Sequence, residues 1–297
     1  MKCKPISIAY ALVWKCYCNC PICLSGSNVN EKKETNINNW KKIVAPILKY
    51  NGSVRLTITG GEPMVFWNKT DKLFEFIKYL HANEIHICLN TTGVNITADK
   101  LKMLDNYLDT ILLSVRGLSV DEIIKEFGIK EKFAKKLLDT QLMILNEISN
   151  TNIKLEISTV VTKENYSKID DLGDKLYKIN KNIIWRVEEY YKNGKQNNQP
   201  EEKYGLKKEQ YTSLIKSLIK KYPDFIYIRK SSKDDRANAP DPFIFPDGMV
   251  HDTSNHTYKK ICLLKQFNLL NMKTRRDWSS YKNSLRDWGW ERDVVTP

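Results

Sequence analysis

A regular alternation of short apolar runs with amphipathic stretches limits most strongly what this chain can fold into. Runs at Ile6–Trp14, Val54–Thr59, Ile85–Leu89, Thr110–Val115, Ile153–Val161 and Ile183–Tyr191 have the length and composition of buried strands. Helical spacing fills the gaps. Ile43, Val44, Ile47 and Leu48 lie on one face of a helix over Trp40–Tyr50, which Pro46 should bend or start. Leu73, Phe76, Ile77 and Leu80 mark a second helix, and Thr97 can cap a short third through Leu104. A long helical stretch places Phe133, Leu137, Leu138, Leu142, Leu145 and Ile148 on one side, and Tyr166–Tyr177 reads as another helix. Such alternation predicts a parallel sheet with right-handed crossovers. In barrels of this type the site lies at the C-terminal ends of the strands.

Every unusual motif of the chain falls at such an end. Cysteines follow the first run, Gly60-Gly61-Glu62-Pro63 the second, and Asn90-Thr91-Thr92-Gly93 the third. Four of the seven cysteines lie in Cys16-Tyr17-Cys18-Asn19-Cys20-Pro21-Ile22-Cys23, and three of these have the spacing C-x3-C-x2-C. A loop leaving a strand can wrap a metal, and thiolates are the ligands of iron–sulfur clusters. Three thiolates on a four-iron cluster leave one iron open to a substrate or cofactor. Structural zinc is the rival reading, although it usually wants two short ligand pairs. Unliganded thiols are another. A disulfide knot is disfavoured, because the N-terminus has no cleavable leader pattern and a cytoplasmic, reducing location is expected.

Composition narrows the class. Hydrophobic residues are 41% of the 297, enough for a sizeable core. There is no apolar run of about 18 residues, so no membrane span is expected. The formal net charge of +13 comes from lysines spread along the chain rather than from an arginine stripe or basic tail. That pattern suits a solvated surface and argues against a nucleic-acid partner. The polar segment Lys192–Lys203 is the best linker. The expected domains are therefore 1–191, a linker over 192–205, and a small α+β extension over 206–297 that caps the substrate. In the extension, Tyr211, Leu214, Ile215, Leu218 and Ile219 suggest a helix and Phe225–Arg229 a strand. Phe243–Val250 suggests a hairpin turning at Asp247-Gly248, and Trp278, Trp288 and Trp290 a capping core.

The cysteine spacing after the first strand, with Gly-Gly-Glu-Pro after the second, resembles the radical S-adenosylmethionine (radical SAM) superfamily. The likeness runs from about residue 5 to 191. It continues through Leu89–Gly93, Leu113-Ser114-Val115-Arg116-Gly117 and Val160–Asn165. The resemblance implies an α/β fold, a partial, open (βα)6 TIM-like barrel. It implies a [4Fe–4S] cluster on Cys16, Cys20 and Cys23, whose open iron chelates SAM. One-electron cleavage of the sulfonium would give methionine and a 5′-deoxyadenosyl radical that abstracts a substrate hydrogen. A flavodoxin- or ferredoxin-type protein would donate the electron.

By the same resemblance, Gly60 and Gly61 let the backbone approach the methionine end of SAM, Glu62 and adjacent carbonyls accept from its ammonium, and Pro63 fixes the turn. Thr91, Thr92 and Ser114 would face SAM. Arg116 suits a carboxylate, with a surface salt bridge as the alternative. Asn165 would lie near the adenosine, with a helix N-cap as the alternative. Two residues depart from the family pattern. Ile22 stands where an aromatic usually packs near the adenine, and Cys18 is an added thiol, expected to point outward. Cys3, Cys88 and Cys262 are too few for a second cluster. Cys88 reads as core. Cys262 reads as core or as a hydrogen-atom donor to a substrate radical, as in some peptide epimerases of the family. A ribosomal peptide or peptide side chain is the leading substrate expectation. The alternative is a nucleotide or other small phosphorylated metabolite, because Trp185-Arg186-Val187 loosely resembles a segment of the viperin-like branch and Lys192 and Lys195 follow. Glu188 and Glu189 could equally face a cationic or peptide substrate.

Overall fold

Ten strands form one sheet in a computed structural model that describes residues 6–23, 40–67, 71–190, 201–222, 225–227, 243–246, 248–252, 259–266 and 269. Strands β1 (Ile6–Val13), β2 (Val54–Gly60), β3 (His86–Thr91), β4 (Thr110–Ser114), β5 (Lys154–Val161) and β6 (Ile184–Glu189) pair in chain order, all parallel. This is the expected core, and the sheet does not close. Its edges extend it. Strand β7 (Ile226–Tyr227) runs parallel to β6, and β8 (Phe243–Ile244) parallel to β1. Strands β9 (Met249–Asp252) and β10 (Lys259–Leu263) complete the order as an antiparallel ribbon on β8. The C-terminal hairpin therefore forms, with Gly248 at φ +79°, but its strands lengthen the barrel sheet instead of standing beside it.

Helices cover one face of the sheet. They are α1 (Trp40–Leu48), α2 (Met64–Trp67), α3 (Lys72–His81), α4 (Ala98–Asp105), α5 (Val120–Phe127), α6 (Glu131–Glu147), α7 (Ile169–Ile179), α8 (Glu201–Tyr204) and α9 (Lys208–Lys221). Helix α1 runs through Pro46. Thr97 caps α4 by accepting from the Lys100 N–H, as expected. The long helix expected from Phe133 to Ile148 forms as α6, and a separate helix, α5, precedes it. Ser119 caps α5 by accepting from the Glu122 N–H, and Gly128, at φ +60°, ends it. The segment at 166–177 starts as a 3-10 turn over Tyr166–Lys168 before α7.

Period-two alternation assigns the strand faces. Ile8, Tyr10, Leu56, Ile58, Leu89, Leu113, Ile157 and Trp185 pack outward against Val44, Phe76, Leu80, Leu104, Ile144 and Leu176. Each such side chain contributes about 1.5–3 kcal/mol on full burial. The inner face is polar: Arg55, Thr57, Thr59, Cys88, Asn90, Thr110, Glu156, Ser158 and Arg186 share it by register. Arg55 of β2 meets Glu156 of β5 at 2.7 Å. Three strand steps of about 4.8 Å separate them, so side chains rising from one face can meet over two intervening strands only where the sheet curls. Arg186 continues the network to Glu156 at 3.0 Å and Glu188 at 3.3 Å. Cys88 lies beside Arg55 in this charged interior. It is buried as expected, but not among apolar groups.

The expected linker Lys192–Lys203 is described only from 201, where α8 forms. Cys3, Asp247, Lys192, Lys195, Trp278, Trp288 and Trp290 lie outside the described residues. Among the described residues no helix is long and apolar enough to cross a membrane.

Candidate metal and cofactor site

The cysteine loop is clamped from two sides where β1 leaves the sheet. On one side the end of β2 docks backbone to backbone. The Gly61 N–H donates to Val13 O at 2.6 Å, and the Glu62 N–H to Lys15 O at 2.9 Å. A Cβ at Gly60 would stand 2.3 Å from Val13 O, and one at Gly61 would stand 2.1 Å from Lys15 O. Gly60 also takes φ +124°. These glycines let two chains touch, whatever else they approach. On the other side the Asn19 N–H donates to Phe127 O at 2.9 Å, and a Cβ at Gly128 would meet Asn19 O at 2.3 Å. The end of α5 thus holds the middle of the loop. Cys16 and Cys18 pack with Val94, Ile123, Phe127 and Leu137 beneath it. Trp14 stacks on Phe245 with ring centroids 4.5 Å apart, joining the loop's start to the C-terminal hairpin.

Cys18 corrects the outward expectation. It is only 2% exposed. Its backbone N–H donates to Cys16 Sγ at 3.4 Å, and its thiol lies among the sulfurs of Cys16 and Cys20. Those two sulfurs, and burial, push the Cys18 pKa up. That of Cys20 falls to about 7, through the bond from Cys18 and, against burial, the charge and hydrogen bond of Arg116. Cys23 is half-buried, in a turn where its N–H donates to Cys20 O at 3.2 Å. Ile22 packs with Tyr190 and Tyr204, whose rings lie 5.6 Å apart. Among the described residues no three His, Cys, Asp or Glu side chains are already gathered closely enough to hold a metal ion. The donor set is nevertheless thiol in character with a guanidinium beside it, which suits a thiolate-bound cluster.

Glu62 ties the neighbouring strand ends together. It is 1% exposed. Oε1 accepts from the Thr91 hydroxyl at 2.6 Å and the Met64 N–H at 3.1 Å. Oε2 accepts from the Thr92 N–H at 2.8 Å and the Thr92 hydroxyl at 2.7 Å. A carboxylate has about four acceptor positions, and all four are filled. Glu62 thus joins the ends of β2 and β3 through its bonds to Thr91 and Thr92. Burial pushes the Glu62 pKa up, against these four donors. Pro63 O accepts from the Phe66 N–H at the start of α2.

Two residues missed in the sequence complete the frame. Gln141, fully buried on α6, donates through Nε2 to Thr92 O at 2.9 Å and Ser114 O at 3.0 Å. It stood in plain view as a polar residue on the apolar stripe of Leu137 and Leu145. Glu126, on the same face of α5 as Ile123, is buried beside Arg116 and accepts from Asn165. Asn165 caps no helix with its side chain. Its Oδ1 accepts from the Thr162 N–H at 2.8 Å, and its Nδ2 donates to Val160 O at 3.0 Å, closing the exit of β5.

Arg116 is partly buried, and it turns toward the cysteines. Nη1 donates to Glu126 O at 3.2 Å, the guanidinium lies 5.2 Å from the Phe127 ring centroid, and it hydrogen-bonds the Cys20 sulfur. The structure thus brings Cys16, Cys20, Cys23, Gly60–Pro63, Thr91, Thr92, Ser114, Arg116 and Asn165 to one end of β1–β5. Cys262 is not among them: it lies on β10, the outermost strand beyond β9 and β8, opposite Val250 of β9.

Comparison with known proteins agrees with this arrangement. The profile described as the Radical SAM superfamily matches residues 15–176. Uncharacterized protein MJ0907 of Methanocaldococcus jannaschii is 26% identical over 161 residues, 53% of each chain. The matched stretch is thus about half the length of that curated relative. Among solved structures, SuiB of Streptococcus suis bound to S-adenosylmethionine superposes with a TM-score of 0.67 at 16% identity, covering 98% of this chain and 68% of SuiB. SuiB bound to precursor peptide SuiA gives 0.63 at 16%, covering 90% and 64%. Native anSMEcpe with bound AdoMet gives 0.65 at 18%, covering 89% and 80%.

Proposed function

Because the chain belongs to the radical SAM superfamily, whose enzymes use a [4Fe–4S] cluster and SAM, we propose that it generates a substrate radical from SAM and that its substrate is a peptide. The observation that carries the proposal is the cysteine loop clamped between the Gly60–Glu62 backbone and the end of α5. Cys16, Cys20 and Cys23 would hold the cluster, which when bound supplies one-electron cleavage of SAM to a 5′-deoxyadenosyl radical. Cys18 then has to give up its two sulfur partners. The backbone of Gly60, Gly61 and Glu62, fixed at Pro63, would border the methionine end of SAM. Thr92, Ser114 and Asn165 would border its nucleoside, with Thr91, Glu62 and Gln141 holding them in place. An external one-electron donor is required. Cys262 remains a proposed hydrogen-atom donor only if the C-terminal ribbon brings it over the site.

The peptide reading rests on the charge of the inner face. Arg55 and Arg186, the cations a phosphorylated substrate would need, are balanced by Glu156 and Glu188. A neutral floor of hydroxyls and paired charges suits a polar peptide segment better than a polyphosphate. The fold neighbours SuiB and anSMEcpe have been solved with peptides, SuiA and Kp18Cys respectively, which supports the same reading.

The test is anaerobic reconstitution with iron and sulfide, chemical reduction, and chromatography of the products. SAM should yield methionine and 5′-deoxyadenosine, faster with a cognate peptide. Cys16→Ala should abolish the brown chromophore, whereas Cys262→Ala should retain it. A folded, brown protein that never cleaves SAM with any candidate peptide or nucleotide would refute the enzyme reading, and acceleration by a nucleotide alone would replace the peptide.

A further inference from the structure

Arg116 and the cysteine loop are both anchored to the stretch Glu126–Gly128 and share Phe127. Glu126 O accepts from Arg116 at 3.2 Å, and the Phe127 ring lies under the guanidinium at 5.2 Å. Phe127 O accepts from Asn19 at 2.9 Å, and Gly128 lacks the Cβ that would strike Asn19 O. The end of α5 therefore fixes the guanidinium and the loop relative to one another. Its charge acts on Cys20 first, then on Glu126, Cys23 and Cys18, and it hydrogen-bonds the Cys20 sulfur. An arginine held by a carbonyl and a ring, inside a sheet end, has little freedom to swing toward a carboxylate elsewhere.

We propose that Arg116 is a positioning residue for the cluster: its guanidinium supplies a fixed counter-charge to the Cys20 and Cys23 thiolates instead of binding the carboxylate of SAM. The inference rests on the cluster reading above. Each electron added to a thiolate-bound cluster increases its negative charge. A fixed cation beside it stabilises the reduced form more than the oxidised one and raises the midpoint potential. Removing the charge lowers the midpoint. The conservative lysine restores the charge without the planar fork.

The experiment is a redox titration of the reconstituted full chain, followed by electron paramagnetic resonance in the absence of SAM. In Arg116→Gln the ratio of reduced to oxidised cluster at the parent's midpoint should fall at least tenfold, a shift of about 59 mV for a one-electron couple. Arg116→Lys should recover most of it, and SAM affinity, measured separately by equilibrium dialysis, should change less than about threefold in the lysine variant. A midpoint unchanged in Arg116→Gln overturns the proposal, as does loss of SAM affinity in both variants at the parent's potential. Should Arg116→Gln assemble no cluster, Arg116→Lys decides by the same titration: a midpoint near the parent's supports the proposal, and failure to assemble overturns it. A parent chain that takes up no cluster is the distinct outcome in which the underlying reading fails.

Discussion

Gly61→Ala separates two reasons for a glycine at this motif. If Gly61 serves only the approach of a ligand, a methyl there leaves the unliganded fold unchanged. The structure requires otherwise. A Cβ at Gly61 would stand 2.1 Å from Lys15 O, 2.6 Å from Lys15 C and 2.8 Å from Trp14 O, all backbone atoms that cannot rotate away. Gly61 is not among the glycines with positive φ, so the clash is one of packing alone. Relief means pushing the cysteine loop from the end of β2. That strains the bonds from Gly61 N to Val13 O and from Glu62 N to Lys15 O. Overpacking costs about 1–3 kcal/mol, and two weakened hydrogen bonds about 1 kcal/mol each. The stiffer unfolded chain returns about 0.4–1 kcal/mol. The expected net loss is about 3 kcal/mol, read from urea denaturation of the cluster-free protein. Gly248→Ala is the control: its Cβ would meet only Ile43 side-chain atoms at 3.5 Å, so its cost should be that of φ +79°, about 1 kcal/mol. A Gly61→Ala variant within about 0.5 kcal/mol of the parent would refute the docking argument.

Thr159→Val keeps the shape of a fully buried side chain but orphans Val115 O and the Trp185 Nε1–H, bonded at 2.6 and 2.9 Å; thermal or urea unfolding should show a loss of about 2–4 kcal/mol. Glu156→Gln leaves Arg55 and Arg186 facing a neutral amide in the interior, and the same assay should show about 3–5 kcal/mol lost. Asp109 accepts from the Ile87 N–H at 2.7 Å and pairs with His86; burial works against it, but these partners hold its pKa below the usual carboxylate value. A depressed acid pKa adds stability above the unfolded value, about 3.9, that is lost as pH falls through the folded one. The gap in unfolding midpoint between parent and Asp109→Asn should therefore be widest near neutrality and shrink below about pH 4, and a gap that widens in acid would contradict the assignment.

The strand–helix alternation and the order of its motifs were legible without coordinates because both are local. Period-two and period-3.6 patterning bury apolar faces whatever the chain's ends do, and a parallel sheet follows from the lengths between strands. The spacing Cys16, Cys20, Cys23 and the following Gly60–Pro63 likewise sit in contiguous sequence, so they marked the site's end of the sheet. Side-chain partnerships are not local. That Cys18 turns inward depended on the apolar pocket made by Val94, Phe127 and Leu137. That Glu62 is filled by Thr91, Thr92 and Met64 depended on two strand ends meeting. Gln141 and Glu126 gained meaning only when α6 and α5 lay across β3, β4 and the cysteine loop. Arg116 shows the division most plainly. Its sequence offered a cation at a strand end. Which anion it serves was decided by α5, whose separate existence turned on Gly128 ending the helix under Asn19, a contact between residues more than a hundred positions apart.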